Sequence, residues 1–306
     1  MKTSSKKNIG HSVFQRLLNI AKNKGVDFNL LLIRYGIERF LFRLSISPYV
    51  NEFVLKGANL FLVWKVENYR VTKDTDLLKL GSADANRIKE IFKEICKIDY
   101  SQDGISFNYS TIKVIPIRDF QGLEGLRVIL KGKLHHAVIP LQIDIGFGDV
   151  VTPRIKTINF PTLLGFPQPR IKAYSRYTVI AEKFEAIVRL GIVNSRMKDF
   201  YDIWLMCKLF KFDGRILREA ILNTFKRRTT KLSHDVPIAF REEFQKDNQK
   251  QIQWRAFIQK INKTSDVPKE LNLVIQALIK FLMPIVDSII NNTPFEKTWS
   301  PGGPWK

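Results

Sequence analysis

The sequence predicts an α+β protein in which a domain built on a mixed β-sheet is followed by a C-terminal helical bundle. Up to about residue 148, apolar strand-like segments alternate with short helical stretches. From residue 174 onward, apolar residues recur at the three-and-four spacing of helices. Prolines at 153, 161, 167 and 169 separate the two regions, as at a domain boundary. We therefore expect an N-terminal basic arm and helix (1–50), an α/β domain (51–160) and a helical domain (174–306).

The elements of the first region follow from their periodicity. After a basic tail of lower order, residues 27–46 read as a helix because Leu30, Leu31, Tyr35, Ile37 and Phe40 fall on one side. The apolar run at 53–55 predicts a strand, and a helix opens after the small residues 57–59. Residues 74–76 continue as a strand, 84–96 as a helix, and further strands lie near 105, 112, 126 and 141.

The second region is predicted to be helical. We expect helices over 174–191, 197–210, 214–227, 247–262 and 265–291. The last of these interrupts its apolar run with Gln276, Lys280 and Asp287, which indicates an amphipathic helix packed on the domain, capped by Ser265 or Asp266. The tail that follows has two tryptophans that could dock it.

The sequence Asp74-Thr75-Asp76 carries the strongest chemical signal. Side chains alternate along a strand, so the two carboxylates point to the same face. Magnesium takes one or two such carboxylates and completes its shell with water and substrate phosphates. The alternative is a pair of solvated loop residues.

Small residues precede this pair at Gly57, Ala58 and Asn59, between an apolar strand and an apolar segment. A turn of this kind at a helix start lets backbone N–H groups approach a triphosphate. The order of strand, small turn, helix and carboxylate strand is typical of nucleotide-handling proteins.

Asp144 is the candidate third carboxylate. Leu141, Ile143 and Ile145 alternate with it, so it falls on the polar face of a strand, where it could meet the first two. The alternative is an ordinary solvent-facing strand residue. For Asp149, which follows two glycines, a turn-forming role is at least as plausible as a chemical one.

Two polar groups stand out in the helical region. Lys183 lies beside the apolar stripe of its helix, where it either snorkels to solvent or reaches the site. Asp199 and Asp202 are three residues apart, so a helix presents both on one side. Such a pair either bonds nearby basic residues or takes part in chemistry.

Composition indicates a polyanionic partner. The chain has 50 Lys and Arg against 29 Asp and Glu, a net charge of +21. Residues 1–50 and 151–306 carry this excess, whereas 51–150 hold 14 basic and 13 acidic residues. The excess disfavours a substrate that is only a small molecule and favours RNA, gripped around an acidic centre.

The cysteines and the N-terminal segment limit the kinds of site and the location that the sequence predicts. The two cysteines, at 96 and 207, lack the spacing of a zinc site or a disulfide framework, and a reducing cytoplasm fits. The first 24 residues never build the apolar core of a signal peptide, and we expect no membrane span.

These motifs together resemble the AbiEii/AbiGii-type nucleotidyltransferase toxins of bacterial toxin–antitoxin and abortive-infection (phage-defence) systems. The resemblance runs from about residue 28 to residue 257. Its motifs are Leu55-Lys56-Gly57-Ala58-Asn59, Arg70-x-Thr72-x-Asp74-x-Asp76, Ile143-Asp144-Ile145-Gly146, Ile180-Ala181-Glu182-Lys183 and Arg196-x-Lys198-Asp199-x-x-Asp202. Ala58-Asn59 departs from the family's Gly-Ser or Gly-Thr, which bears on nucleotide preference or turnover.

The resemblance implies a polymerase β-like nucleotidyltransferase domain and assigns roles to residues. It implies that Asp74, Asp76 and Asp144 bind Mg²⁺ (or Mn²⁺), that Lys183 reaches the nucleotide phosphates, and that Asp199 is catalytic. The substrate-binding residues it implies are Lys56, Gly57, Ala58, Asn59, Arg70, Thr72, Arg189 and Asp202, the last of which could orient Lys183 or Arg70.

We therefore predict a metal-dependent nucleotidyltransferase toxin that transfers a nucleoside monophosphate from an NTP to RNA. By resemblance, the acceptor is the 3′ end of tRNA, translation and growth stop, and an antitoxin is encoded nearby. The alternatives are nucleotidylation of a protein and a non-catalytic member that binds GTP or RNA, a reading that Asn59 encourages.

Overall fold

The computed structural model of the protein describes residues 9–66, 72–118, 124–261 and 267–306. The chain forms two compact units. The first comprises Met1–Gly148 and Lys156–Ala173, and the second comprises Asp149–Ile155 and Tyr174–Lys306. The described residues of the predicted N-terminal arm thus belong to the first unit.

A seven-stranded mixed sheet forms the centre of the first unit. Its order is β3-β4-β5-β2-β1-β7-β6; β2 with β5 and β1 with β7 pair in parallel, and the other neighbours are antiparallel. This architecture confirms the predicted fold class. The strands are β1 (Phe53–Lys56), β2 (Asp74–Lys79), β3 (Ile105–Arg118), β4 (Glu124–Leu134), β5 (Ala137–Phe147), β6 (Lys156–Asn159) and β7 (Arg170–Ala173).

Helices cover one face of this sheet. The α2 helix starts after Asp27, whose carboxylate accepts from Leu30 N, and it packs so closely on β5 that a Cβ at Gly36 would lie 2.9 Å from Leu141. The cap of α4 is Asp84, and the buried stripe of this helix includes Phe92, whose ring stacks on that of Phe40. The helices are α1 (Ile9–Lys24), α2 (Phe28–Ser45), α3 (Leu60–Val63) and α4 (Ala85–Lys97).

The second unit is mainly helical. Its first helix is capped by Ser175, whose hydroxyl accepts from Thr178 N. Its core contains stacked aromatic rings, among them Phe184 with Phe240 and Phe200 with Phe244. The elements are α5 (Arg176–Leu190), α6 (Met197–Leu209), β8 (Phe212–Asp213), α7 (Gly214–Arg227), α8 (Glu242–Lys246), α9 (Asn248–Ile261), α10 (Leu271–Ile290) and β9 (Thr298–Trp299).

The last helix holds the C-terminal tail in place. Trp299 and Trp305 both contact the ring of Phe281 on α10, and their indole N–H groups donate to Cys207 O and Phe281 O. The predicted docking of the tail is therefore confirmed. Among the described helices, α10 alone is long and apolar enough to cross a membrane by length and composition, with mean hydropathy 2.0, and half of that stretch is buried inside the unit.

Several sequence predictions were wrong. The N-terminal segment predicted to be of lower order contains α1, which buries Val13, Phe14 and Leu17. The proline-rich linker contains β6 and β7, which extend the sheet beyond β1. The two strands predicted near 105 and 112 are one strand with a bulge, and α10 begins at Leu271, without a side-chain cap. The predicted caps, Ser265 and Asp266, lie outside the described residues.

Candidate active-site residues

The three predicted carboxylates of the first unit lie on one face of its sheet. Asp74 and Asp76 are two residues apart on β2, so their side chains project to the same side. In the parallel pair of β2 and β5, Asp76 is in register with Asp144. The topology therefore places Asp144 on the same face as two carboxylates that lie 68 and 70 positions earlier in the sequence.

The turn after β1 closes against this face. Lys56 is in register with Asp76 across the β1–β2 pair. Gly57 adopts a left-handed backbone with φ of +71°, and a Cβ built there would overlap the Asp76 carboxylate, with the Asp76 Cγ at 2.7 Å. Only glycine leaves the position of the Asp76 side chain undisturbed.

Ala58 and Asn59 follow in a buried 3₁₀ turn, where the sequence predicted the start of a helix. The Asn59 amide nitrogen donates to the backbone oxygen of Asp74 at 3.0 Å and to the hydroxyl of Thr75 at 3.2 Å. The helix that follows, α3, has only four residues. The Asn59 amide thus anchors the turn to β2.

Thr72 and Arg70 precede β2. The Thr72 hydroxyl donates to the Asp74 carboxylate, which places it beside the predicted site. Arg70 lies outside the described residues.

Arg127 is a site residue that the sequence reasoning missed. It lies opposite Asp144 in the antiparallel β4–β5 pair, and its Nε and Nη2 donate to the two oxygens of the Asp144 carboxylate, each at 2.8 Å. The hydrogen bond to Asp144 raises the pKa of Arg127 further above its usual value, and the charges of Asp74 and Asp76 add to the effect. The guanidinium is thus within electrostatic reach of all three carboxylates.

The donor set of this face fits a divalent ion in part. Carboxylate oxygens are the ligands that Mg²⁺ prefers, and one or two suffice when substrate phosphates supply the rest. Asp74 and Asp76 supply two such carboxylates. Because Gly57 has no side chain, nothing at that position overlaps the Asp76 carboxylate. The bidentate bond from Arg127 already occupies Asp144. Within the described ranges, no three His, Cys, Asp or Glu side chains are grouped closely enough to hold an ion.

The second unit contains a separate cluster around Lys183 of α5. Its ammonium lies 2.6 Å from Asp199 Oδ1 and 2.8 Å from Asp202 Oδ2, and both carboxylates project from α6 and are fully buried. Arg196 Nε lies 2.8 Å from the other oxygen of Asp199. Two acids three residues apart therefore fix one lysine between them, as their spacing on a helix allows.

The pKa of Asp199 reports the charges around it. Burial by itself raises the pKa of this carboxyl, but the charges of Lys183 and Arg196 outweigh it, and the pKa falls below its usual value. Asp199 is therefore ionised at neutral pH, and it forms an ion pair with Lys183, whose side chain is 13% exposed.

Arg189 lies in a different cluster of the second unit. Its side chain is 6% exposed, and its Nε is 3.0 Å from Glu185 Oε1. Arg228 pairs with the same glutamate at 2.9 Å and with Asp149 at 3.0 Å. A direct contact of Arg189 with substrate would thus require this buried side chain to leave Glu185.

Comparison with known proteins decides the family. The family model described as "Nucleotidyl transferase AbiEii toxin, Type IV TA system" matches residues 39–272. The chain belongs to the AbiEii nucleotidyltransferase toxin family. All the predicted site residues, from Lys56 to Asp202, lie inside the matched segment. AbiEii membership also implies an antitoxin partner.

Two solved structures from Helicobacter pylori are similar to this AbiEii family member. The first, JHP933, has 13% sequence identity and a TM-score of 0.41, with 95% of this chain and 99% of that chain covered. The second, a candidate nucleotidyltransferase, has 13% identity and a TM-score of 0.36, with coverage of 84% and 95%. No curated protein shows significant sequence similarity to the chain.

Proposed function

We propose that this AbiEii-family protein transfers a nucleoside monophosphate from an NTP to an RNA acceptor, with Mg²⁺ or Mn²⁺ as cofactor. The observation that carries the proposal is the placement of Asp74, Asp76 and Asp144 on one face of the sheet, next to the turn at Gly57. Carboxylates placed in this way are the metal-binding part of nucleotidyl-transfer chemistry.

Asp74 and Asp76 are the residues that would hold the divalent ion. When bound, such an ion neutralises charge on the phosphates and orients the attacking hydroxyl and the leaving group. Lys56 and the backbone at Gly57 lie beside Asp76, where a triphosphate would be placed. Asp144 would become a third carboxylate ligand of the ion once Arg127 releases it.

Lys183 supplies positive charge in this proposal. A protonated lysine beside the phosphates offsets the negative charge that develops in the transition state. Asp199 and Asp202 hold its ammonium in one orientation at 2.6 and 2.8 Å. Their role is positioning, whereas Lys183 is the group that contacts substrate.

The acceptor is RNA, with the 3′ end of tRNA as the proposed site of transfer. The net charge of +21 supports a polyanionic partner. Blocking this end would stop aminoacylation and hence translation and growth, which agrees with membership in a toxin family. We propose the cytoplasm as its location and a neighbouring gene as the source of its antitoxin.

The experiment is a labelling assay in which each NTP, radioactive at the α-phosphate, is incubated with the protein, Mg²⁺ and total cellular RNA. We expect one NTP to label an RNA band. The Asp76→Asn variant should label nothing, and the matched variant Asp99→Asn, at an exposed aspartate outside the site, should label like wild type. Full labelling by Asp76→Asn would refute the assignment of the carboxylates.

Two other outcomes would replace the proposal. Label on protein and none on RNA would show nucleotidylation of a protein. Binding of NTP or RNA without any transfer would show a non-catalytic member, in keeping with the inward-turned Asn59 amide and the closed Arg127–Asp144 pair.

A further inference from the structure

The face that bears the carboxylates continues across the sheet to its outer edge. Along one row, Lys56, Asp76, Asp144, Arg127 and Ile115 are register partners on β1, β2, β5, β4 and β3. All of them project to the same side, because register partners share a face. The carboxylates are therefore the inner end of a surface that extends over β4 and β3.

Basic side chains follow on the outer strands. Lys131 and Lys133 project from β4 on the same side as Arg127, and Lys113 projects from β3 opposite Ile129. All three lysines are exposed. Beside them on β3 lie the exposed polar residues Ser106, opposite Lys133, and Asn108, opposite Lys131. We call these three lysines with Ser106 and Asn108 the basic sheet face.

Negative charge is nearly absent from these strands. Residues 105–118 contain no acid, and β4 and β5 contain two acids: Glu124, opposite Arg118 at the start of β4, and Asp144, which is paired with Arg127. The opposite face is apolar, with Val128, Leu130 and Leu141 almost fully buried. The basic sheet face is therefore a patch of one sign on the same face of the sheet as the carboxylates.

The near-zero net charge of residues 51–150 does not reveal this basic patch, because acidic residues elsewhere in the segment offset its lysines. Residues 84–99, which include α4, carry four basic and four acidic side chains. The α4 helix packs on the apolar side of the sheet, through Phe92 against Phe40, which in turn contacts Phe107 of β3. The acids of this segment thus lie mostly away from the basic sheet face.

We propose that the basic sheet face binds the phosphate backbone of the RNA acceptor strand and leads its end to the carboxylates of β2 and β5. This inference rests on the proposed function. Lysine ammonium groups attract phosphate without reading the base, and Ser106 and Asn108 can donate hydrogen bonds to phosphate or ribose oxygens. A surface without acids that ends at a metal-binding group is complementary to a polyanion whose terminal hydroxyl must reach that group.

The expected loss of RNA affinity follows from the counterions that each lysine–phosphate contact releases. Each phosphate contact on a single strand adds about 0.7 to the slope of log K against log salt concentration. Loss of three contacts should lower the slope by about 2 and weaken binding about a hundredfold at ~0.1 M salt, whereas loss of one contact should weaken it about fivefold.

The test compares two triple variants of equal charge. The first is Lys113→Gln, Lys131→Gln and Lys133→Gln. The control is Lys89→Gln, Lys93→Gln and Lys97→Gln, on the helix that packs on the opposite side of the sheet. The probes are a fluorescein-labelled oligouridylate and a fluorescein-labelled tRNA, titrated at several salt concentrations without NTP. Circular dichroism and the thermal midpoint establish that both variants fold.

We expect the first variant to lose affinity and slope as calculated, and the control to bind within about twofold of wild type. Equal losses in both variants would show a general effect of charge and overturn the inference. Unchanged RNA binding in the first variant would also overturn it. If that variant instead lost binding to an acidic protein, such as the antitoxin, the face would be a protein interface.

A parallel transfer assay separates the two proposals. If wild type transfers no nucleotide but RNA binding depends on the basic sheet face, the proposed function fails and the binding surface stands. If wild type labels RNA and the first variant labels it equally well at limiting RNA, the proposed function stands and the binding surface fails.

Discussion

Gly57 offers the sharpest test of how the turn after β1 supports the carboxylates. Its φ of +71° lies in the left-handed region, and an added Cβ would lie 2.7 Å from Asp76 Cγ and 2.9 Å from Asp76 Cβ. Rotation of the Asp76 side chain cannot relieve the second contact, because the Cβ is attached directly to the backbone of β2. Gly57→Ala must therefore shift the turn or the strand.

The size of the shift can be worked out from these distances. Carbon atoms pack at about 3.5 Å or more, so the turn and Asp76 must separate by about 0.6–0.8 Å. A misplacement of about 1 Å at a reacting centre can cost about a hundredfold in rate. We expect Gly57→Ala to lower nucleotidyl transfer at least tenfold.

Gly81 provides the matched control. Its φ is +73°, nearly that of Gly57, but a Cβ built there meets no atom within 4 Å. Gly81→Ala should therefore bear only the conformational cost of the left-handed region, about 1–2 kcal/mol. In a unit of this size each kcal/mol lowers the thermal midpoint by about 2–4 °C.

The assay measures the thermal midpoint and the initial rate of labelling for both variants. Gly81→Ala should lose a few degrees and keep the rate of wild type. Gly57→Ala should lose more stability and most of the rate. If the two variants had the same midpoint and the same rate, the overlap with Asp76 would have no consequence and the reasoning would be refuted.

Three further predictions concern single side chains. Lys183→Gln should abolish transfer and, by removing the ammonium that lies between two buried carboxylates, lower the free energy of unfolding by about 3–5 kcal/mol in urea titrations; stability equal to wild type would contradict the pairing. Arg127→Gln should free the Asp144 carboxylate and lower the Mg²⁺ concentration needed for half-maximal transfer, and an unchanged or higher requirement would refute competition between the guanidinium and the ion. Burial raises the pKa of Glu38 from 4.5 to about 7. The folded state therefore holds more protons than the unfolded state between these values, so stability should fall by ~3 kcal/mol as pH rises through the window. Glu38→Gln should flatten that fall in thermal scans at pH 4.5 and 8.

Much of the fold could be predicted from local signals. The α4 helix follows its cap, Asp84, and its apolar stripe, and α7 has the predicted bounds. The β6 and β7 strands could not be predicted, because each has four residues in a proline-rich segment and owes its conformation to pairing with distant chain. The α1 helix was missed because its segment was assigned to the basic tail, although Lys22 and Lys24 lie only in its last turn, after the buried Val13, Phe14 and Leu17.

The positions of the candidate site residues could also be predicted in part from local signals. The alternation of Asp74 and Asp76 with apolar neighbours fixes their face locally, and Asp144 follows by the same rule. That Asp144 lies beside Asp76 depends on which strands pair and in which register, which no local pattern specifies. The roles assigned to these residues stay predictions until the transfer assay is done.

The pairing of Arg127 with Asp144 could not be predicted from the sequence alone. In the sequence it is one basic residue among apolar neighbours, and nothing nearby connects it with Asp144, seventeen positions later. The hairpin between β4 and β5 sets the register that joins them, and the same register aligns Lys131 and Lys133 with them on one face. A segment whose charges nearly cancel in sequence is thus sorted by pleat and pairing into a carboxylate cluster and a basic surface. Because side chains alternate between the two faces of the sheet, a shift of one residue in the register of a strand would turn the charged side chains of that strand into the core.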